Sequence, residues 1–137
     1  AMALAYDARR LTADIDGVFE PKSMVYEAIR HVAQRHGLAD GWINDAVKSF
    51  LPGNDTNIRV VLEVPGLRVS IPSTESLLAL KIHAARPDRD LDDIRYLADY
   101  LGLTTSSQIL DVAERFFGAN RLEPKSQFFI EQMFGAG

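Results

Sequence analysis

Two aspartates, one residue apart, are the first side chains in this sequence that could do chemistry. Asp14 and Asp16 lie in the run RRLTADIDGVF, whose apolar residues predict a short strand over 12–19. Residues two apart in a strand project to the same side, so the two carboxylates can share an ion. Oxygen ligands of this kind suit Mg²⁺, which completes its shell with waters and substrate phosphates. The pair therefore indicates phosphoryl-transfer chemistry, although the same pattern also fits a strand with one solvated face.

A lysine in the middle of an apolar helix stripe is the second feature. The segment LLALKIHAAR predicts a helix whose apolar residues share one arc: Leu77, Leu78, Ile82, Ala84 and Ala85. Lys81 falls within this arc. Because an isolated buried charge is costly, we expect its ammonium to meet carboxylate or phosphate oxygens. The alternative is a side chain whose stem covers apolar surface while the amine reaches water.

The acidic segment that follows offers partners for this lysine. Asp93 is predicted on the flank of the next helix's apolar face, and we expect it to pair with Lys81. Asp90, at the N-terminal end of that face, is expected to cap the helix and meet the positive end of its dipole. Arg86 and Arg89 are expected in the turn between the two helices, where they would pair with the aspartates or hold phosphate.

The elements that must position these residues predict an α+β chain, with strands early and helices late. A hairpin is predicted from RVVLEV and LRVSI, joined at Pro65 and Gly66, and forms with the strand over 12–19 a small mixed or antiparallel sheet. Helices are predicted over residues 1–9, 23–35, 74–85, 91–101, 106–117 and 124–134. We expect one domain over 1–137, with a sheet-containing part (1–72) and a helical part (73–137).

Composition limits the class of protein. A chain of 137 residues with 47% hydrophobic content is long enough to bury a core. Without cysteine, and with His31, His36 and His83 lacking zinc-site spacing, any metal is expected on carboxylates. A net charge of -4 argues against a surface built throughout for nucleic acid, while a local basic patch stays compatible with it. No signal-peptide pattern or membrane-span-length apolar run is visible, so we expect a cytoplasmic protein with no membrane partner.

Four segments of the sequence form one recognisable pattern. They are R-x-T-x-D-I-D at Arg10, Thr12, Asp14 and Asp16, W-I-N-D-A-V-K-S-F-L-P at 42–52, L-L-A-L-K-I-H-A-A-R around Lys81, and R-D-x-x-D-I at 89–94. This pattern resembles the minimal nucleotidyltransferase superfamily. More narrowly, it is similar to the branch that holds the nucleotidyltransferase toxins of AbiE-type toxin–antitoxin systems and their bacterial relatives. The likeness extends to about residue 103 of the chain.

The resemblance implies a fold, an activity and a set of roles. The fold would be nucleotidyltransferase-like, and the activity would be Mg²⁺-dependent, or Mn²⁺-dependent, transfer of a nucleotide from an NTP to an RNA (tRNA-like) or protein acceptor. An antitoxin would be a further partner. Asp14 and Asp16 would bind the metal, Lys81 would contact the nucleotide's phosphates, and Asp93 would be the acidic residue of the later motif. Nucleotide binding is expected from Arg10, Thr12, Lys81, Arg86 and Arg89.

A missing glycine turn keeps a second hypothesis open. The family has a Gly-Gly or Gly-Ser turn just upstream of its first helix, whose backbone amides hold phosphates, and this sequence begins at Ala1, past that point. Glu63 is the one acidic candidate for a third carboxylate on the following strands, and its pattern is that of a solvated strand residue. The two hypotheses are an active nucleotidyltransferase and an inactive protein of that fold acting as a binding or dimerisation module. Because the family's preceding strand and helix would cover apolar surface and a sheet edge, we expect a homodimer.

Overall fold

The described part of the chain is α+β, as predicted, and mostly helical. The prediction of one small sheet is wrong, because the described strands form two separate two-stranded sheets, one parallel and one antiparallel. The computed structural model describes residues 2, 6, 15–49, 51–84 and 86–135. Arg10, Thr12 and Asp14 lie outside these described residues. The chain divides into two compact units, one of residues 9–51 and one of residues 1–8 and 52–137. The expectation of a single domain stays a prediction.

The unit of residues 9–51 contains a short parallel strand pair. Strand β1 (Ile15–Asp16) pairs with β2 (Ile43–Asn44), and the register places Asp16 beside Asn44. The strand predicted over 12–19 is thus confirmed at its centre, while residues 17–19 are not in a strand and 12–14 lie outside the described residues. Strand β2 was not predicted, because two residues are too few to show an alternating pattern.

A single α-helix connects these two strands. Helix α1 (Lys22–His36) follows Pro21 and ends at Gly37, whose φ of 65° is readily adopted by glycine. The predicted end is confirmed. The predicted start at residue 23 is one residue late, because Pro21 occupies the N-cap position and the helix begins at Lys22.

The other unit begins with the predicted hairpin. Strands β3 (Arg59–Val64) and β4 (Leu67–Ile71) are antiparallel and are joined at Pro65 and Gly66, where Gly66 has a φ of 84°. An irregularity on β3 between Val60 and Leu62 leaves one residue without a partner on β4. The hairpin prediction is confirmed. It could be made from the sequence because a Pro-Gly turn between two β-branched runs is a strong local signal.

The helices that follow pack around one apolar core. They are α2 (Thr74–Ala84), α3 (Pro87–Tyr100), α4 (Ser106–Phe117) and α5 (Pro124–Phe134). The largest fully buried apolar side chains come from all four helices: Leu78, Ile82, Ile94, Leu97, Ile109 and Ile130. Helix α4 starts with a capping box between Thr105 and Gln108, which satisfies two backbone N–H groups that have no helical partner.

The start of α3 corrects one predicted boundary. The helix begins at Pro87, four residues before the predicted position 91. Proline suits the first helical position because its missing N–H would have no partner there. Arg89 and Asp90 therefore both lie within the helix, whereas Arg89 was expected in the preceding turn and Asp90 at the start of the helix.

Candidate functional site

A lysine and two aspartates from neighbouring helices form the best-defined charged cluster. The Nζ of Lys81 lies 2.9 Å from Oδ1 of Asp90 and 2.9 Å from Oδ2 of Asp93. The other oxygen of Asp90, Oδ2, accepts a hydrogen bond of 3.1 Å from Nε of Arg86. The expectation that Lys81 meets carboxylates, with Asp93 among them, is confirmed.

The local folding of α2 and α3 explains why these groups meet. Lys81 lies next to Ile82 on the stripe that α2 buries. Asp90 and Asp93 are three residues apart and therefore lie close together on one side of α3. Two helices joined at Arg86 thus bring a cation and two anions together at the edge of the core.

The interpretation of Asp90 as a helix cap is wrong. The N-cap position belongs to Arg86, and Asp90 lies inside α3 with only 1% of its side chain exposed. The sequence did contain a signal, since Asp90, Ile94 and Leu97 follow the four-and-three spacing of one buried helix face. With the start of the helix placed at Pro87, that spacing predicts a buried carboxylate that needs a cationic partner.

The cluster leaves the lysine accessible. An ammonium group carries three N–H donors; Lys81 donates one hydrogen bond to Asp90 and forms an ion pair with Asp93. A fifth of the Lys81 side chain is exposed, compared with 13% for Asp93. The two carboxylates therefore hold the ammonium in place, while the side chain as a whole keeps some exposure to solvent.

The described half of the aspartate pair lies on the short parallel sheet. Asp16 is exposed on β1 beside Asn44 of β2, whose Oδ1 accepts a hydrogen bond of 3.1 Å from the backbone N–H of Ala46. An exposed carboxylate is a hard oxygen ligand, so the chemistry of Asp16 fits Mg²⁺. Within the residues that the structure describes, no three Asp, Glu, His or Cys side chains group together as metal ligands would.

A second polar cluster fixes the segment after β2. Asp45 accepts a hydrogen bond from Nζ of Lys22 and one from the hydroxyl of Tyr26, both of 2.9 Å. The bond from Lys22, and then the bond from Tyr26, hold the pKa of the Asp45 carboxyl below its ordinary value. The indole N–H of Trp42 donates to the backbone carbonyl of Ile29 over 3.0 Å, which joins the same segment to α1 again.

This Asp45 cluster was missed in the sequence. Its signal was present in Lys22 and Tyr26, which are four residues apart and so lie on one side of α1. Pairing them with Asp45 required the strand β2, which the sequence did not reveal.

Three further residues that the sequence singles out lie within the described part of the chain: Arg86, Arg89 and Glu63. Arg86 is half exposed and bound to Asp90, which confirms that it pairs with an aspartate. Arg89 is exposed in the first turn of α3. Glu63 is exposed and accepts a hydrogen bond of 2.9 Å from Nε of Arg68 across the hairpin, so its interpretation as a solvated strand residue is confirmed.

An open groove of about 650 Å³ lies along α4, away from these residues in sequence. It is lined by Leu103, Gln108, Asp111, Val112, Glu114, Arg115 and Ala119. None of the predicted site residues belongs to this lining.

The comparisons with known proteins gave no match. Neither a protein-family model, nor a curated protein, nor a solved structure matches this chain. Among the helices of the described residues, none is long and apolar enough to cross a membrane. The functional interpretation therefore depends on the residues and their geometry.

Proposed function

We propose that this chain is a Mg²⁺-dependent nucleotidyltransferase that moves a nucleotide from an NTP to an RNA (tRNA-like) or protein acceptor. The observation that supports it is the position of Lys81, held at 2.9 Å by Asp90 and Asp93 and still one-fifth exposed. A lysine that binds phosphate must be fixed in place without being closed off from the ligand. The two ion pairs meet the first requirement, part of the side chain is exposed, and this lysine is the one to which the resemblance assigns that role.

The metal would be bound by Asp14 and Asp16. The exposed carboxylate of Asp16 is a suitable oxygen ligand, and Asp14 lies outside the described residues. Bound Mg²⁺, or Mn²⁺ in its place, supplies positive charge that stabilises the phosphates during transfer. The pair suits either one ion with a nucleotide or two ions.

The protein's cations would act on the phosphates. Lys81 would donate to a phosphate oxygen while Asp90 and Asp93 hold its ammonium in position. Arg86 has further N–H donors beyond the one that Asp90 accepts, and Arg89 is exposed one turn into α3. Arg10 and Thr12 would bind the nucleotide from the segment outside the described residues.

The reaction itself requires little covalent work from the protein. An oxygen of the acceptor bonds to the α-phosphorus, the bond from that phosphorus to the bridging oxygen breaks, and pyrophosphate leaves. The proton of the acceptor hydroxyl passes to a carboxylate or to water. Catalysis of this kind is mainly positioning and charge stabilisation.

A second hypothesis is an inactive protein of the same fold that acts as a binding or dimerisation module. The exposed aliphatic side chains of the β3–β4 hairpin favour it, because such surface is typical of an interface. An antitoxin or a second copy of the chain would be the partner under either hypothesis.

Calorimetric titration of ATP, GTP, CTP and UTP, with and without Mg²⁺, tests the proposal. We expect one or more NTPs to bind in a Mg²⁺-dependent way. Asp14→Asn and Asp16→Asn should remove the Mg²⁺ dependence, since each deletes a charged oxygen ligand. Lys81→Ala should weaken binding by about tenfold or more, because a charge-assisted hydrogen bond is lost.

The matched control is Lys125→Ala, which removes an exposed lysine from α5. The affinity of Lys125→Ala for NTPs should equal that of the wild type. Urea unfolding of each variant should show that the variant is folded. Equal losses in Lys125→Ala and Lys81→Ala would mean that the protein attracts NTPs only by diffuse charge. No heat with any of the four NTPs would contradict the proposal and favour the inactive module.

A further inference from the structure

The β3–β4 hairpin exposes several large aliphatic side chains. Among the described residues β3 and β4 form a sheet of two strands, and Val60, Leu62 and Val64 are each 46% exposed and Leu67 52%. Two strands alone are marginally stable in water, and further strands are the usual remedy. An additional strand would therefore stabilise this hairpin.

The two edges of the hairpin are not equivalent. Strand β3 carries the irregularity between Val60 and Leu62, and a bulge of this kind interrupts the ladder and twists an edge away from new partners. Strand β4 is regular from Leu67 to Ile71, and among the described residues it pairs with β3 alone. The β4 edge is thus the one on which another strand can add.

The sequence of β4 is complementary to itself. In an antiparallel pairing of two β4 strands centred on Val69, Val69 lies opposite its own copy and Leu67 lies opposite Ile71. Arg68 then lies opposite Ser70, so that apolar residues face apolar residues and polar residues face polar ones. Registers shifted by two residues keep the same alternation but pair fewer residues of the strand and bring Arg68 or Ser70 opposite its own copy.

The backbone and the charges agree with this register. Beside a two-residue turn, Leu67 and Val69 direct their backbone groups toward β3, which leaves those of Arg68 and Ser70 on the open edge. These are the residues that would face each other across the axis. The charge of Arg68 is already balanced by Glu63 of its own hairpin, so no unbalanced like charges are brought together.

We propose that β4 is a dimerisation edge, through which two copies of this chain join antiparallel about Val69 into a four-stranded sheet. One face of that sheet would carry the aliphatic side chains of both hairpins: Leu62, Val64, Leu67 and Val69. The interface uses the same residues on both copies, so the assembly closes as a symmetric pair and leaves the bulged β3 strands at its outer edges. This inference goes beyond the proposed function and does not depend on it.

Single cysteines test the register, because the natural sequence has none. In the full chain, Val69→Cys places one thiol beside its own copy, at an expected Cα separation of about 4.5–5.5 Å that a disulfide can span. Leu67→Cys is the matched control on the same face of the sheet. Position 67 is more exposed than position 69, but it lies opposite Ile71 of the other copy. Under mild oxidation we expect Val69→Cys to form the linked dimer about tenfold faster than Leu67→Cys, and light scattering of the wild type to give a dimer mass.

The same measurements can overturn the inference. A wild-type chain that stays monomeric up to several hundred micromolar would exclude this dimer. A dimer in which Leu67→Cys links as fast as Val69→Cys would place the axis elsewhere. Because neither thiol replaces a core residue, both variants should retain the helical circular dichroism of the wild type, which makes the comparison valid.

Discussion

At the residue scale, the notable feature is the charged carboxylate of Asp90 at the edge of the core. Stability alone does not require a charged group at this position. Asp90 is 1% exposed, and its charge is balanced by Lys81 and Arg86. Buried ion pairs can often be replaced by apolar residues of similar size without loss of stability, since desolvation offsets their attraction. The cluster therefore fits a role in positioning Lys81 better than a role in holding the helices together.

Removing one partner from this cluster should nevertheless be costly. We expect Asp90→Asn to lower the free energy of unfolding by about 3 kcal/mol, because it leaves two cations beside a single carboxylate. Asp93→Asn should cost about 1 kcal/mol, since Asp93 is more exposed and Asp90 remains. Urea unfolding followed by far-ultraviolet circular dichroism measures both.

Asp99→Asn is the control for this comparison, because it removes an exposed carboxylate from the same helix. It should change the free energy of unfolding by less than about 0.5 kcal/mol. If Asp90→Asn were as mild as Asp99→Asn, the ion pairs of the cluster would be weak, and Lys81 would not be held as described.

The sequence predicted part of this cluster. Lys81 and Asp93 were found from helical periodicity and from the cost of burying a charge. Asp90 was misassigned, because the start of α3 was placed four residues too late and a capping role then looked sufficient. Helix boundaries are set by local competition at the ends, which periodicity does not resolve.

At the element scale, two-residue strands depend on what surrounds them. The pair β1 and β2 contributes few hydrogen bonds of its own, and the segment after β2 is bound to α1 through Asp45 and Trp42. A two-residue strand is recognised by its hydrogen-bonded partner strand, because it is too short to show an alternation of apolar and polar residues. That is why the hairpin and the long helices were predictable and β2 was not.

The Asp45 cluster should make this unit sensitive to acid. Its folded pKa is lowered, so the stabilisation is present above the ordinary value of about 3.9 and is lost as pH falls through the lower folded value. We expect Asp45→Asn to unfold at a lower urea concentration than the wild type at pH 7, and the difference to shrink as pH falls through the lowered folded pKa of Asp45. The fluorescence of Trp42, the one tryptophan, reports on this unit.

At high pH, the contribution of Lys22 to stability changes in the opposite direction. Asp45 also raises the pKa of Lys22, so the contribution of Lys22 is present at neutral pH and is lost only as pH rises past its own folded value. Asp40→Asn, an exposed change in the same unit, serves as the control and should follow the wild type at every pH. A difference for Asp45→Asn that did not shrink as the pH was lowered would show that its cause is packing and not charge.

At the scale of the whole molecule, composition and hydrophobic pattern predicted the fold class but not the division of the chain into units. The α+β class and the order of strands before most helices were predicted. The division near residue 51 was not, because the turn-rich LPGNDTN resembles an ordinary loop before a hairpin. A net charge of -4 also means that an RNA acceptor would have to be bound by a local set of basic side chains, and the number of phosphates they contact would set the dependence on salt.

The central claim is nucleotidyl transfer, and the position of the label in the NTP tests it most directly. The wild-type chain is incubated with Mg²⁺, a tRNA pool and each NTP carrying phosphorus label at either the α or the γ position. We predict that α-label enters the RNA or a protein acceptor, that γ-label does not, and that folded Asp16→Asn and Lys81→Ala variants transfer neither. Failure of α-label to enter any acceptor, under conditions where the same protein binds the NTP, would contradict the account.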